Sequence, residues 1–488
     1  MKPDTTPNSS RRNFLKKGTA ALGAATLLPS SVIFSKPALK NRAGEVIRPA
    51  VISPNDKVNM AFCGIGNRGG QIYRSFMGTG MVNNVAHCDT DMGAKHTLKN
   101  LEAYPDVPRF QDFRKMLDKM DSDIDAVCVG TPDFAHFPIC MLAMSMGKHV
   151  YVEKPLSRTF QEAELLMQAA DKYKVVTQMG NQGHSGQNYF QFKAWVDAGI
   201  IKDVEQITAH MNGRRRWHGW DTNMSEFPAG QPLPETLDWD TWLGTAEFHE
   251  YHKDYINGQW RCWYDLGMGA LGDWGAHIMD TMHEFLELGL PTEINPSHIA
   301  GHNSLFYPQA TTLEFKFPAR ETMPPLTITW YDGMENLPKL PEGYGTSELA
   351  KDIPAASDQV IKKRKLNPGK IIYGKDLTFK GGTHSATLSI IPEEAANDMA
   401  SSLPEVPESP SNHFENFALS CRGEEQTRSP FAISAPLSQV FCLGTIAQRL
   451  NARLEFDPKT NTITNHELAN QMLIGSPPRK GWEEFYEL

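Results

Sequence analysis

Twelve residues constrain the fold of this chain more than any others: Val58-Asn59-Met60-Ala61-Phe62-Cys63-Gly64-Ile65-Gly66-Asn67-Arg68-Gly69. A short apolar run reads as a buried strand and passes directly into G-x-G-x-x-G, and residues 71–77 then read as a helix. In such a unit the first glycine makes the tight turn. The second lets the backbone approach a pyrophosphate, and the third lets helix and strand pack closely. The pyrophosphate would sit on the free N–H groups at the helix N-terminus. A second strand, Asn84-Val85-Ala86-His87-Cys88, ends at Asp89, twenty residues after Gly69. An acid there either takes the adenosine ribose hydroxyls or caps a loop. Its carboxylate would repel a 2′-phosphate, so the expected cofactor is NAD rather than NADP.

From residue 57 to about 177 strands and helices alternate, which predicts a doubly wound parallel sheet covered on both faces. Strands are expected at residues 109–110, 124–130, 149–152 and 175–179, and helices at 113–120, 136–146 and 160–173. Gly64, Asp89, Thr131, Glu153, Lys154 and Asn181 all fall at the carboxyl ends of these strands, where open α/β sheets bind their ligands.

At 488 residues, 40% hydrophobic and 22% charged, the chain has room for two domains. Its formal net charge of −9 opposes general binding to nucleic acid or anionic membrane. No segment after the N-terminus reads as a transmembrane span. The seven cysteines form no C-x-x-C pair and several lie in apolar runs, so they read as buried thiols of a protein folded under reducing conditions. Residues 10–16, Ser-Arg-Arg-Asn-Phe-Leu-Lys, precede a short Ala- and Gly-rich apolar run. They resemble the twin-arginine signal S-R-R-x-F-L-K, which implies the twin-arginine export machinery as a partner, folding before export, and the periplasm as destination. Cleavage near Ser35 or retention as an anchor both remain open. The expected organisation is a signal segment (1–35), a linker (36–56), an NAD-binding domain (57–180) and a second α/β domain (181–488). Residues 331–412 form a loop-rich elaboration of the last.

The segments GIGNRGG, CDTD, GTPDFAHFPIC, KHVYVEKPLS and MGNQGHSG together resemble the Gfo/Idh/MocA family (glucose–fructose oxidoreductase and inositol dehydrogenase), closely over residues 57 to about 186 and more loosely from 196 onward. The resemblance implies a Rossmann domain followed by an α/β domain with a large open, mainly antiparallel sheet. It also implies oxidation or reduction of sugar carbons with tightly held NAD(P). Cofactor contacts are then expected from Gly64, Gly66, Asn67, Arg68, Gly69, Asp89, Thr131, Pro132, His136, Glu153, Lys154 and Asn181. In the family a helix presents D-x-x-x-H to the nicotinamide, opposite the lysine of Glu-Lys-Pro. Here those residues are Asp273, His277 and Lys154, the expected catalytic set.

Residues 271–288 read as one helix, on which Asp273 and His277, four apart, share a face. Besides catalysis, the pair could bind a metal with Asp280 or His283, though the set is incomplete, or be a local helix contact. His277, with an ordinary pKa near 6.5, would take the alcohol proton. Lys154 would stabilise the developing oxyanion, and Asp273 would orient the imidazole or bind a neighbouring hydroxyl. Six of the ten tryptophans lie between positions 217 and 263. Arg215, Trp217, Trp260, Arg261 and Trp263, with His184, are the expected carbohydrate contacts; core packing is the competing reading for the tryptophans.

The reading that follows is a sugar or glycoside oxidoreductase with internally recycled cofactor. A related group of NAD-dependent glycosidases, which oxidise, eliminate, hydrate and re-reduce, is the alternative, but those lack the lysine that this chain keeps at Lys154. A non-enzymatic sugar-binding protein is the third reading. The family resemblance also implies a homodimer or tetramer.

Overall fold

The computed structural model of the chain describes residues 47, 49–211, 220–321, 323–344 and 366–488. The twin-arginine motif, Arg215, Trp217 and the basic cluster at 362–365 lie outside the described residues.

Six strands form the first sheet: β1 (Val58–Cys63), β2 (Val82–Cys88), β3 (Arg109–Phe110), β4 (Ala126–Val129), β5 (His149–Val152) and β6 (Thr177–Met179). All neighbours pair in parallel, in the order β3-β2-β1-β4-β5-β6. Every residue of β4 and β5 is buried, as their unbroken apolar runs require of strands covered on both faces. Chain order reverses between β1 and β4, which opens a crevice at the carboxyl ends of those two strands. A capping box between Thr159 and Glu162 fixes the start of helix Phe160–Tyr173, which follows β5.

The second sheet has nine strands in the order β13-β12-β11-β7-β10-β9-β8-β14-β15. These are β7 (Gln206–Met211), β8 (Glu293–Ala300), β9 (Ala310–Phe317), β10 (Leu326–Asp332), β11 (Gly369–Tyr373), β12 (Thr378–Gly381), β13 (Leu388–Ile391), β14 (Leu454–Asp457) and β15 (Thr462–Ile463). Only β7 and β10 pair in parallel. Within residues 331–412, short strands at 370–373 and 386–391 are expected from the sequence and are present as β11, which pairs with β7, and β13; β12 between them, which joins the two, is not expected. The seven cysteines are buried free thiols.

Helix Phe431–Leu450 lies against β8 and β9 on one side and helix Phe160–Tyr173 of the first domain on the other, which ties the two sheets together. The sequence from Leu437 to Leu450 reads as an amphipathic helix, and the helix begins six residues earlier because Pro436 is accommodated inside it. At 20 residues it is long and apolar enough to cross a membrane, contrary to expectation, but 89% of the window is buried inside the protein. Gly444 lets it approach the next helix: a Cβ there would stand 2.5 Å from the Leu271 side chain.

The expected single helix over 271–288 is two, Gly269–Ile278 and Asp280–Phe285, parted at Met279. Two long-range donors take carbonyls of the last turn. The Lys370 ammonium lies 2.9 Å from the Ile278 oxygen, and the His384 backbone N–H lies 3.0 Å from the His277 oxygen.

Candidate active site

At the end of β1 the backbone turns through Gly64, at φ +74°. A Cβ there would lie 2.7 Å from the Gly130 oxygen, and one on Gly69 would lie 1.8 Å from the Gly64 oxygen, so both positions exclude any side chain. Helix Asn67–Gly78 starts at Gly66 with no side-chain cap and no acid in its first turn. Its free N–H groups are thereby left for an anion.

These elements wall a cleft of about 710 Å³ lined by Gly64, Gly66, Asn67, Arg68, Asp89, Thr131, Pro132 and Glu153 from the first domain. Trp242, Trp260 and Arg261 line it from the second. The Thr131 hydroxyl is buried there without a hydrogen-bond partner. An uncapped helix start, an orphaned hydroxyl and a glycine loop that admits no Cβ together fit a dinucleotide. Asp89 caps its loop and stands where the ribose role would require it. Its carboxylate accepts the N–H groups of Ile65 (3.0 Å) and Asp91 (3.2 Å), and it also lines the cleft. Burial raises its pKa, against the pull of those N–H groups.

Gly69 and Lys154 are not among the residues that line the cleft, and four further expected contacts lie elsewhere. The His136 ring is buried between the carbonyls of Pro155 (2.8 Å) and Thr131 (3.0 Å), where it braces the cleft wall from behind. Asn181 is fully buried, its side-chain oxygen accepting the Ser429 hydroxyl at 2.6 Å. His184 faces no substrate either: Asp280 (3.0 Å) and Glu284 (2.8 Å) hold its two nitrogens. Burial opposes its charge, but the two carboxylates raise its pKa to about 10. Trp263 is core, its indole N–H donating to the Asp254 carbonyl at 2.9 Å. All four are polar or amphipathic groups engaged inside the fold rather than turned to the cleft, the commonest fate of such groups. The other residues weighed as metal ligands are likewise engaged, Asp280 by His184 and His283 by the Gly289 carbonyl (2.8 Å).

Lys154, by contrast, meets Asp273. From the end of β5 its ammonium reaches the Asp273 carboxylate at 2.7 Å and the Asp273 backbone oxygen at 2.8 Å. Arg261 binds the same carboxylate oxygen at 3.0 Å and lies 3.5 Å from buried Asp133. Lys154 and Asp273 are 7% and 5% exposed, so this is a desolvated network of two cations and two carboxylates. Burial lowers the lysine pKa, Asp273 opposes the shift, and Arg261 adds to it. Glu153, beside it, is held by Arg68 and Gln182, both at 3.3 Å.

His277 projects from the same helix face as Asp273, but Asp273 is committed to Lys154 and Arg261. What orients the imidazole is His384, whose ring stacks on it with centroids 3.9 Å apart and planes 19° from parallel. The Nδ1 atom of His277 is buried without a partner. Burial, then His384 and Lys154, push its pKa well below the ordinary value, so the ring is neutral. His384 sits at φ +53° in the turn between β12 and β13. Sequence reasoning missed it, and its only local signal is the Gly381-Gly382-Thr383 run before it, a tight-turn composition.

Residues 58–181 match the NAD-binding Rossmann fold of the Gfo/Idh/MocA oxidoreductase family, and residues 188–298 match that family's C-terminal α/β domain. A glycosyl hydrolase family 109 protein of Shewanella baltica is 29% identical over 219 residues, 43% of this chain and 47% of that protein. One from Shewanella pealeana is 28% identical over 217 residues, with 42% and 47% covered. The chain thus aligns with about half the length of these curated relatives. Among solved structures, the WlbA dehydrogenase of Chromobacterium violaceum, in complex with NADH and UDP-GlcNAcA, superposes with a TM-score of 0.56 at 14% identity, over 85% of this chain and 99% of that one. The aldose-aldose oxidoreductase of Caulobacter crescentus gives 0.51 at 15% identity, over 82% and 100%; at such identities the likeness is one of fold. With both family domains matched in order, on a parallel six-stranded sheet and a mixed nine-stranded one, the chain belongs to the Gfo/Idh/MocA family of NAD-binding oxidoreductases.

Proposed function

We propose that this protein oxidises a ring hydroxyl of a sugar or glycoside to a carbonyl by hydride transfer to tightly held NAD, which is recycled in place by returning the hydride to a second carbonyl. The observation that carries this reading is the convergence of the desolvated Lys154–Asp273 pair and the neutral, unpartnered Nδ1 of His277. When bound, NAD supplies the hydride acceptor. His277 Nδ1 takes the hydroxyl proton as the carbon gives up its hydride, and Lys154 donates a hydrogen bond to the oxygen as it becomes a carbonyl. Because burial keeps His277 neutral, it can accept a proton at pH values where a free imidazole is half protonated. It also holds that proton weakly and returns it when the hydride goes back to a second carbonyl. Trp260 and Arg261, stacked at 4.3 Å at the edge of the cleft, offer an apolar face and planar donors to a sugar ring.

Asp89 favours NAD over NADP by charge. Asp89→Ser is expected to narrow the preference for NAD about tenfold or more, measured as the ratio of the two dissociation constants. An unchanged ratio would remove Asp89 from that role.

The names of the curated relatives support a second reading, an NAD-dependent glycosidase; the retained Lys154 argues against it. An aryl glycoside separates the two. The oxidoreductase yields a keto-sugar and NADH absorbance with the aglycone still attached, and the glycosidase releases aglycone with no net NADH. Nucleotide analysis of exhaustively dialysed protein comes first, since protein that binds no NAD sinks both. The leader at residues 10–16 supports export by the twin-arginine route to the periplasm, tested by fractionation of wild type against Arg11→Lys/Arg12→Lys. The open nine-stranded sheet supports a dimer or tetramer, tested by light scattering.

A further inference from the structure

A second cavity, of about 230 Å³, shares no lining residue with the cleft. Its walls include Arg158, just after Lys154; Tyr264 and Gly267, just before helix Gly269–Ile278; Arg449, at the end of helix Phe431–Leu450; and the C-terminal segment from Leu468 to Ser476. The Arg158 Nε is buried with no hydrogen-bond partner, and no ion pair holds the guanidinium among the described residues. The two carboxylates that attract it are already engaged. Glu162 accepts the backbone N–H groups of Arg158 (3.2 Å) and Thr159 (3.1 Å) and the Tyr486 hydroxyl (2.8 Å). Asp265 is taken by Arg449 (3.0 Å) and faces His249 (3.3 Å). The Tyr264 hydroxyl, on a side chain 5% exposed, also lacks a partner.

A guanidinium carries five donors and no acceptor, and leaving it both desolvated and unpaired is costly. Asp265 is offset by Arg449, and Glu162 attracts Arg158 without an ion pair to it, so the buried Arg158 Nε–H is left without an acceptor. A tyrosine hydroxyl beside it adds a neutral donor. We propose that this cavity binds a small oxyanion, the carboxylate or phosphate of a compact molecule, on Arg158 and Tyr264. At ~30 Å³ per water the space equals about eight waters, room for a phosphate or a sugar acid but not a nucleotide. The occupant would touch both segments that deliver the catalytic side chains: the one after Lys154, through Arg158, and the one before Asp273, through Gly267. The Gly267 carbonyl already accepts the Tyr307 hydroxyl at 2.8 Å. The inference stands whatever reaction the cleft performs.

The test is thermal denaturation and calorimetry on full-length protein saturated with NAD, so that the pyrophosphate site is filled. Inorganic phosphate and D-glucuronate serve as separate probes at constant ionic strength, against chloride. One of them is expected to raise Tm and to bind with one-to-one stoichiometry, which tells a phosphate site from a carboxylate site. Arg158→Gln should weaken that binding at least about tenfold, the loss of one charge-assisted hydrogen bond, while NAD content stays at the wild-type level. If Arg158→Gln folds poorly, Tyr264→Phe should weaken binding by a smaller factor. No binding of either probe to wild type would mean that the cavity holds water only. Equal binding by wild type and both variants would place the anion elsewhere. Either result overturns the proposal.

Discussion

Asp273→Asn removes the carboxylate that lies 2.7 Å from the Lys154 ammonium and 3.0 Å from Arg261. Arg261 keeps Asp133 at 3.5 Å, but Lys154 keeps only neutral acceptors, the residue-273 backbone oxygen at 2.8 Å and the new amide oxygen, and no compensating charge. The variant therefore strands a buried cation, and breaking a buried pair in this way costs about 3–5 kcal/mol. Lys154→Met is different, because Arg261 still neutralises Asp273 and the methionine fills the space. Its cost should be about 1–2 kcal/mol, near that of one hydrogen bond to a charged group. Asp273→Asn should thus destabilise more than Lys154→Met, and the double variant should lie close to Lys154→Met alone.

The asymmetry depends on pH with a definite sign. Burial already lowers the folded-state pKa of Lys154, and without Asp273 it falls further. Between that value and the unfolded pKa near 10.4 the unfolded chain binds the extra proton, so stability rises with pH by up to about 1.4 kcal/mol per unit. The deficit of Asp273→Asn should therefore shrink from pH 7 to pH 9. Urea transitions followed by tryptophan fluorescence on NAD-free protein measure it. If Asp273→Asn cost no more than Lys154→Met, or if the deficit were independent of pH, the view of Lys154 as a desolvated cation held by Asp273 would fail.

Gly69→Ala sets a Cβ 1.8 Å from the Gly64 oxygen, so the loop must open, and purified protein should contain little or no NAD by absorbance and mass analysis; wild-type content would refute the close approach. His384→Ala removes the ring that stacks on His277 and should lower kcat about tenfold or more. His384→Phe keeps the stack and should retain most of kcat, and equal losses in the two would mean that orientation is not the role of His384. His184, raised to about 10 in the fold from an ordinary 6.5, contributes stability that is complete below pH 6.5 and lost as pH rises toward 10. The stability gap between wild type and His184→Gln should accordingly narrow from pH 7 to pH 10 in urea melts, and a constant gap would mean that the buried imidazole is not charged.

Local chemistry made much of this protein legible. Unbroken apolar runs wrote β4 and β5, and their spacing from the glycine loop predicted the doubly wound sheet with a cleft at its carboxyl ends. Lys154, Asp273 and His277 were pointed to by the family resemblance of Glu-Lys-Pro and D-x-x-x-H, motifs short enough to read along the chain. Choosing a partner for a buried polar group is not local. Asp273 pairs with Lys154, 119 residues away, rather than with His277 four residues along its own helix. His277 is set by His384, carried in on a hairpin whose composition reads as loop, and His184 and Asn181 turn inward to Glu284, Asp280 and Ser429. Periodicity and turn chemistry act over a few residues and are written in order along the chain. The satisfaction of buried charge depends on which segments the two sheets bring within 3 Å of one another, and only the tertiary structure decides that.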